Sequence, residues 1–238
     1  MGFSLFLCTF VLRMRKLIAI TVAVLLSWAA ANAQMSVAGG WQATQLIRTN
    51  IASDGYRMYN YAWANGAYAG VSSLGSFGIQ GLCYSYSIFW NYATGTESDM
   101  LMIMDDPHYE AAKKGSVITD EHYLSVPATA GYNLPLAPWL SLGLYAGAEV
   151  DYCLSSKSYS TWPGIDGVNH WNVDHFGAET NYNGYRRFDL ALLGGLNVLF
   201  IDRIKLQGGV SYGLLDRSAG DGLLHRFAAH AGIAYLFK

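Results

Sequence analysis

Apolar side chains alternate with small or polar ones throughout residues 139–154 of the chain. Successive side chains of a β-strand point to opposite faces, so this period of two predicts a strand with one apolar face. Strands of soluble proteins usually run about 5–6 residues, whereas a tilted strand that crosses a bilayer needs about 9–11. The length of the alternation therefore indicates a membrane-spanning strand. Its apolar positions are Leu140, Leu142, Leu144, Ala146, Ala148, Val150, Tyr152 and Leu154.

The other face of this strand indicates how the strand is oriented. In a soluble sheet the face away from the core carries Lys, Glu, Thr and Gln, but here the odd positions are mainly Gly and Ser, with the charged residues Glu149 and Asp151. Small side chains suit a crowded interior, so the apolar face is left to point outward. An apolar exterior around a polar interior is the pattern of outer-membrane barrels.

Similar alternation recurs along the chain, and it predicts an all-β fold: an eight-stranded antiparallel transmembrane β-barrel of the outer-membrane type. Two apolar residues at the start of the third strand, Phe77 and Ile79, are out of phase with Leu82 and the residues that follow. That change of phase predicts a β-bulge near Gly81. The predicted strands are residues 37–47, 61–72, 77–90, 123–132, 139–154, 188–200, 204–214 and 225–237.

The connections between these strands alternate in length. Three are short, at residues 73–76, 133–138 and 201–203, and four are longer, at residues 50–60, 95–120, 155–184 and 217–223. Outer-membrane barrels have short periplasmic turns and long extracellular loops, so we expect both chain termini in the periplasm. Aromatic residues sort to the strand ends, which predicts two interfacial girdles. Those residues are Trp139, Tyr132, Phe200, Tyr235 and Phe237 near the short turns, and Tyr152, Phe188 and Phe227 near the long loops.

The N-terminal residues have the three parts of a secretory signal. Arg15 and Lys16 precede the apolar run 17–28, and an Ala-Asn-Ala cleavage site ends at Ala33. The apolar run is shorter than the about 20 residues of a membrane-spanning helix. We therefore predict a signal peptide over residues 1–33, with Met14 as an alternative start, and an outer-membrane barrel domain over residues 34–238. The formal net charge of −2 predicts no nucleic-acid partner.

Several segments carry a family resemblance. They are residues 120–127 (DEHYLSVP), 142–147 (LGLYAG), 189–195 (DLALLGG), 210–214 (VSYGL) and 232–237 (GIAYLF). Together they resemble the outer-membrane β-barrel domain family that includes PorT-like proteins. The resemblance implies a component of the cell envelope or an accessory to secretion. Phe237 is similar to the C-terminal aromatic residue that such barrels present to their insertion machinery, although Lys238 follows it here.

Charged and polar residues on the inward face form a predicted lumenal network. An eight-stranded barrel is only wide enough for side chains to fill, so we expect no open solute channel. The charges are consistent with a proton or ion path, or with ion pairs that neutralise each other. We favour ion pairs, because an unpaired buried charge is costly. The network residues are Glu149, Asp151, Arg187, Asp189, Lys205, Arg226 and His230.

Two of the long loops contain candidates for recognition. The loop 155–184 is rich in Trp, His and Asn, and its spacing matches no known metal motif, so we expect a recognition surface without metal or cofactor. The segment 99–114 contains the apolar run MLMIM, which would dock a partner, contact lipid or fold over the barrel mouth. The recognition candidates in the first loop are Trp162, His170, Trp171, Asp174 and His175.

Cysteine and histidine positions limit the remaining chemistry. Cys83 and Cys153 face inward from strands that have another strand between them, so we predict no disulfide. His225 is the only outward histidine that we expect at a rim, and Ser218 is near it in sequence.

We predict a non-enzymatic outer-membrane protein whose partners are outer-membrane lipid and envelope or secretion-system proteins. The alternatives are a lipid-modifying enzyme on the barrel and a secreted soluble barrel that binds a small apolar ligand.

Overall fold

The fold was described from a computed structural model of the chain. The structure describes residues 34–48, 63–102, 113–163, 167–177, 185–218 and 223–237. The predicted signal peptide, the whole 50–60 loop and the centre of the 99–114 segment lie outside these residues. No helix within the described part of the chain is long and apolar enough to cross a bilayer.

Nine antiparallel strands make up the described fold. Eight of them form a closed ring in the order β1-β2-β3-β4-β5-β7-β8-β9, with β9 paired to β1. The ring confirms the predicted eight-stranded antiparallel barrel, while β6 pairs with the end of β5 outside it. The strands are β1 (Gln34–Arg48), β2 (Ala64–Ser76), β3 (Leu82–Met102), β4 (Lys113–Ala137), β5 (Leu140–Pro163), β6 (Val168–Asp174), β7 (Phe188–Phe200), β8 (Ile204–Gly213) and β9 (Leu224–Leu236).

The apolar faces of the strands point out of the barrel. Leu144 and Leu192 are 63% and 57% exposed, whereas Asp151 and Asp189 are 3% and 1% exposed. The apolar leucine side chains are thus on the outside of the barrel, and the carboxylates are enclosed in its lumen. This orientation confirms the expected pattern of a membrane barrel. It contradicts the soluble alternative, which requires the apolar side chains to line the interior.

A turn, not a bulge, separates β2 from β3. β2 continues to Ser76, and residues 77–81 form the connection. Gly78 and Gly81 both have φ of +81°, a left-handed conformation that glycine adopts without steric cost. Hydrogen bonds from Phe77 N to Leu82 O (3.2 Å) and from Leu82 N to Ile79 O (3.1 Å) close the turn. The predicted bulge near Gly81 is therefore wrong, because the two apolar residues before it do not belong to a strand.

Two predicted long loops are largely strand. β3 runs on to Met102, β4 begins at Lys113, and β5 runs on to Pro163 before β6. In this part of β5, Ser156, Ser158 and Ser160 are buried, while Lys157 and Tyr159 are exposed. The period of two thus continues, but neither face is consistently apolar. The apolar alternation that predicts strands therefore ends at the edge of the lipid-facing surface, whereas the backbone pairing continues beyond it.

Outward aromatic side chains mark two levels of the barrel. Trp139 (56% exposed) and Tyr132 (48%) lie near the short turns, and Phe188 (50%) and Tyr152 (45%) lie toward the other end. We call these the short-turn end and the long-loop end. On β4 the outward apolar side chains occupy alternate positions over residues 124–136. This length of strand is sufficient for an apolar band about 25 Å tall. We call the paired residues beyond the band, 95–102, 113–121, 155–163 and β6, the strand extension.

Candidate functional site

An ion cluster crosses the lumen near the long-loop end. Arg226 on β9 bonds to Asp151 on β5, and its Nη2 lies 3.4 Å from Oε1 of Glu149 on the same strand. The Asp151 carboxylate also accepts a hydrogen bond from Ser125 on β4. The Arg226 guanidinium stacks 4.3 Å from the ring centre of Tyr123. Because β5 and β9 are not neighbours in the ring, these contacts join opposite parts of the wall.

Asp189 lies beside this cluster but is satisfied differently. It is opposite Asp151 in the β5–β7 ladder and is 1% exposed. Its Oδ1 accepts hydrogen bonds from the backbone amides of Leu190 (2.8 Å) and Leu215 (3.2 Å). Its Oδ2 has no hydrogen-bond partner among the described residues. Backbone amides therefore hold this carboxylate, and no arginine lies within ion-pair distance of it in the described structure.

A second buried ion pair was not predicted from the sequence. Arg217, in the connection after β8, places Nη2 3.2 Å from Oε1 of Glu121, and Ser156 donates to the same oxygen at 3.1 Å. Arg217 and Glu121 are 3% and 4% exposed. Arg217 begins the predicted loop 217–223, and Glu121 lies between the predicted loop 95–120 and the predicted strand 123–132. Side chains of a strand alternate, so the residue two positions before the inward Tyr123, which is Glu121, is also predicted to face the lumen.

Arg217 and Glu121 stabilise each other's charged forms at the level of the strand extension, beyond the lipid-facing band. Burial raises the pKa of Glu121, but the nearby guanidinium of Arg217, then that of Arg226 and the hydrogen bonds, lower it below its ordinary value. Burial likewise lowers the pKa of Arg217, and the Glu121 carboxylate more than compensates, so that the pKa of Arg217 is raised. Both groups are therefore charged at neutral pH.

Arg187 does not belong to the lumenal network. Its Nη1 donates to the carbonyl oxygens of Cys153 (3.1 Å) and Leu154 (2.8 Å), and its guanidinium lies 3.9 Å from the ring centre of Phe176. Arg187 precedes the first residue of β7, so its side chain is at the rim and not within the ladder. The expected pairing of Arg187 with lumenal carboxylates is thus wrong.

Below the ion cluster the lumen contains a cavity. Near mid-height, the Tyr145 hydroxyl lies 3.0 Å from Nε2 of His230 and donates to Gly208 O at 3.2 Å. Lys205 lines the cavity toward the short-turn end and has no ion pair within the described residues. The predicted network residues are therefore spread over three levels, and only Glu149, Asp151 and Arg226 form direct ion pairs.

The recognition candidates of the predicted loop 155–184 do not form one cluster. His175 is buried, with Nε2 2.8 Å from the Ser158 hydroxyl, and stacks on Tyr185 at 4.1 Å between ring centres. Trp171 is 52% exposed, and the exposed His170 lies with Nδ1 3.5 Å from the Thr161 hydroxyl.

Asp174 caps the turn that follows β6. Its Oδ1 accepts from the Phe176 amide at 3.0 Å. The side chain of the remaining candidate, Trp162, lies outside the described residues. In the described parts of the chain no three His, Cys, Asp or Glu side chains are grouped to hold a metal ion.

Two histidines lie on the outer surface near the long-loop rim, where only His225 was expected. His122 stacks with Trp90 (5.6 Å between ring centres) and contacts the ring of Tyr92 at 4.9 Å. His225 stacks on Tyr212 at 5.6 Å, and its Nδ1 lies 3.0 Å from Gly213 O. His122 was missed because the predicted strand began one residue later. Both imidazoles lie among interfacial aromatic rings.

Cys83 and Cys153, the cysteines within the described residues, are both free thiols. Cys153 is buried near the long-loop end, where its Sγ lies 3.6 Å from His122 O. Cys83 lies near the short-turn end, where Asn133 Nδ2 lies 3.5 Å from its Sγ. The thiols are thus at opposite levels of the lumen.

Comparison with known proteins identifies one matching family model. Residues 27–218 match the model described as outer membrane protein beta-barrel domain. The match begins within the predicted signal peptide, runs past β8, and includes Glu149 and Asp151 on β5 and Lys205 on β8. No curated protein matches the chain.

Solved barrels of similar architecture have little sequence identity with the chain. Ail of Yersinia pestis, solved with the heparin analogue sucrose octasulfate, is 14% identical with a TM-score of 0.41, over 87% of this chain and 99% of that one. Neisserial surface protein A is 13% identical with a TM-score of 0.41, over 85% and 97% of the two chains. The N-terminal barrel domain of Pseudomonas aeruginosa OprF is 13% identical with a TM-score of 0.29, over 87% and 100%.

Proposed function

The chain belongs to the outer membrane protein beta-barrel domain family, and from that membership we propose that it is a non-enzymatic outer-membrane protein that recognises a partner at the cell surface. The strand extension is the observation that carries this proposal. β5 continues through residues 155–163 beyond the lipid-facing band, paired to β4 on one side and to β6 on the other. An ordered sheet outside the membrane presents side chains in defined positions, which favours specific binding.

The surface of the strand extension supports a role in binding. Ile118 and Tyr159 are directly opposite each other on β4 and β5 and are 42% and 40% exposed. Trp171 and Val168 on β6 are 52% and 60% exposed. Aromatic side chains contribute large contact areas at low entropic cost, and they are enriched in interfaces. The partner is then an envelope protein, and the resemblance to PorT-like proteins favours one associated with secretion.

The orientation of the barrel in the membrane is part of this proposal. β1 begins and β9 ends at the end that carries the connections 77–81, 138–139 and 201–203. Outer-membrane barrels usually place such short turns in the periplasm. Both termini are then periplasmic, and the strand extension lies outside the cell. Outer-membrane lipid contacts the band between the two aromatic levels.

A catalytic role in lipid modification is not favoured by the contacts of the rim histidines. The Nδ1 atom of His225 is directed at a backbone carbonyl, and both His122 and His225 stack on aromatic rings. These contacts suit interfacial anchoring. We expect His122→Ala, and His225→Ala combined with Ser218→Ala, to leave lipid A and phospholipid turnover in isolated outer membranes unchanged. Loss of turnover in either variant would establish the enzymatic alternative.

Site-specific crosslinking in intact cells tests the recognition proposal. A photoreactive residue replaces Tyr159 in the strand extension, and matched variants carry it at Leu144 in the lipid band and at Ile201 in a short turn. We expect a discrete protein adduct from position 159 alone. The same adducts from all three positions would contradict recognition by the extension.

A membrane-impermeant maleimide tests the orientation separately. In a background with Cys8→Ser, Cys83→Ser and Cys153→Ser, single cysteines are placed at Tyr159 and Ile201. We expect labelling of intact cells at position 159 and labelling at position 201 only after the outer membrane is permeabilised. Immediate labelling at position 201 with protection at position 159 would show the opposite orientation.

A further inference from the structure

The cavity below the ion cluster has its own chemistry, which the proposed surface role does not use. We propose that it binds a small molecule with a carboxylate or phosphate group, which enters from the short-turn end and is held by Lys205 and a row of amide side chains. The row, which we call the amide row, consists of Asn133, Asn197 and Gln207. All three residues and Lys205 line the cavity.

Strand register brings the amide row together. Asn133 on β4 is opposite Gly143 on β5, Gly143 is opposite Asn197 on β7, and Asn197 is opposite Gln207 on β8. These positions form one continuous line across four neighbouring strands. Gln207 donates from Nε2 to the hydroxyl of Tyr68 on β2 at 3.2 Å, which fixes the position of its amide. The polar groups therefore form a curved strip on one side of the lumen.

Gly143 gives the two asparagine amides their position. A Cβ atom at residue 143 would lie 2.2 Å from Oδ1 of Asn133 and 2.5 Å from Nδ2 of Asn197. The missing side chain therefore allows both amides to lie over the backbone of β5. An alanine would displace them toward the centre of the cavity. The glycine thus keeps the wall flat and the cavity open at this level.

Lys205 supplies a positive charge without a counterion. It is on the same face of β8 as Gln207, with one residue between them. Its ammonium group has no ion pair within the described residues. Among the described residues, Glu149 is the only acidic one that lines the cavity, and it is paired to Arg226 at the opposite end. The titratable group that interacts with Lys205 is the Cys83 thiol. An enclosed ammonium without a partner is costly, so an anion is its natural complement.

Asn133 adds a second unsatisfied group. Its Oδ1 is buried without a hydrogen-bond partner among the described residues, while its Nδ2 lies 3.5 Å from Cys83 Sγ. Buried polar atoms are normally paired, and an exception indicates a missing partner. A ligand with a hydroxyl group beside its anionic group would donate to Asn133 and bond to Lys205 together. Hydroxy acids and sugar phosphates have this chemistry.

The two ends of the cavity have different linings. Arg226 and Tyr123 border its upper end, where the ion cluster crosses the lumen. Cys83, Leu199 and Lys205 line its lower end near the short turns. The ion cluster thus closes the long-loop side of the cavity with paired charges, and the unpaired charge of Lys205 lies at the short-turn side.

The Cys83 thiol allows a direct test. In purified full-length protein carrying Cys8→Ser and Cys153→Ser, the modification rate of Cys83 is measured with anionic and cationic methanethiosulfonate reagents of similar size. We expect the anionic reagent to react faster, by a factor on the order of ten for one nearby charge. Lys205→Gln removes this preference and Lys205→Arg retains it. Lys157→Gln, which removes an exposed lysine outside the lumen, leaves it unchanged.

Protection of Cys83 tests binding itself. Inorganic phosphate and citrate are added separately at constant ionic strength, and we expect at least one of them to slow modification in a saturable manner. Gly143→Ala weakens this protection several-fold, and Lys205→Gln abolishes it. Equal rates for the two reagents together with no protection, or protection that survives Lys205→Gln, would overturn the proposal. Neither result bears on crosslinking from the strand extension, so the two proposals fail independently.

Discussion

Arg217 in the β8–β9 connection is paired with Glu121 on β4, with 3.2 Å between Nη2 and Oε1. β5 and β7 lie between these two elements in the ring. The pair therefore draws a connection across part of the long-loop mouth, above the level at which Arg226 bonds to Asp151. Two separate arginines thus link distant parts of the wall at this end of the barrel.

We expect Glu121→Gln to destabilise the barrel by about 3–5 kcal/mol, because it leaves the buried Arg217 guanidinium without a charged partner. The measurement is the urea midpoint of unfolding in detergent micelles. The double variant Glu121→Gln with Arg217→Met should recover a large part of the loss, since it removes both charges. Equal stabilities of the wild type and the single variant would show that the pair does not hold the connection.

The same pair predicts a dependence of stability on pH. The pKa of Glu121 is lowered in the folded protein, whereas an unperturbed glutamate has a pKa near 4.5. The stabilisation is therefore fully present above about pH 4.5 and is lost as the pH falls through the lower, folded-state pKa. We expect the unfolding temperature of the wild type to fall more steeply below that pH than that of Glu121→Gln. Parallel curves for the two proteins would contradict this assignment.

Arg226 is the cation that joins two carboxylates in the lipid-enclosed part of the lumen. Removing it in Arg226→Ala leaves Glu149 and Asp151 without their cation and is expected to cost about 3–5 kcal/mol. Arg226→Lys should restore only part of this, because an ammonium lacks the planar guanidinium that stacks on Tyr123 while its Nη2 contacts both carboxylates. Unfolding midpoints at neutral pH compare the variants. Full rescue by lysine would mean that charge alone matters.

The orientation of the strands is testable with spin labels on the reconstituted protein. Labels at Leu144 and Leu192 should collide with a lipid-soluble relaxant, because these side chains are 63% and 57% exposed on the outer face. Labels at the lumenal positions Ser85 and Thr129, whose hydroxyl groups lie 2.7 Å apart, should be shielded from it. Electron paramagnetic resonance saturation measures the collision rates. Greater relaxation at the lumenal pair would reverse the inside and the outside of the barrel.

The sequence revealed those parts of the site that lie within the lipid band. Glu149, Asp151 and Arg226 were predicted to face inward because their strands alternate with apolar outward neighbours. Glu121 was missed because it lies beyond the band, where outward residues are no longer apolar. Arg187 was placed wrongly because the chain leaves the strand at that residue, and parity has no meaning outside a ladder.

The amide row shows what a single sequence omits. Asn133, Asn197 and Gln207 lie on three different strands, and each is an ordinary inward polar residue when its own strand is considered alone. Only the register of β4, β5, β7 and β8 places them in one line. The unpaired state of Lys205 likewise depends on which side chains the other strands present at its level.

The sequence by itself determined the fold class, the number of strands in the ring and the outward direction of the apolar faces. These properties are local, because the period of two and the length of each alternation are set by one strand and the membrane around it. Tertiary structure alone decided the strand extension with β6, the Glu121–Arg217 pair and the composition of the lumenal cavity. Those features depend on the register and closure of the barrel, which join residues far apart in the chain and leave no period in the sequence.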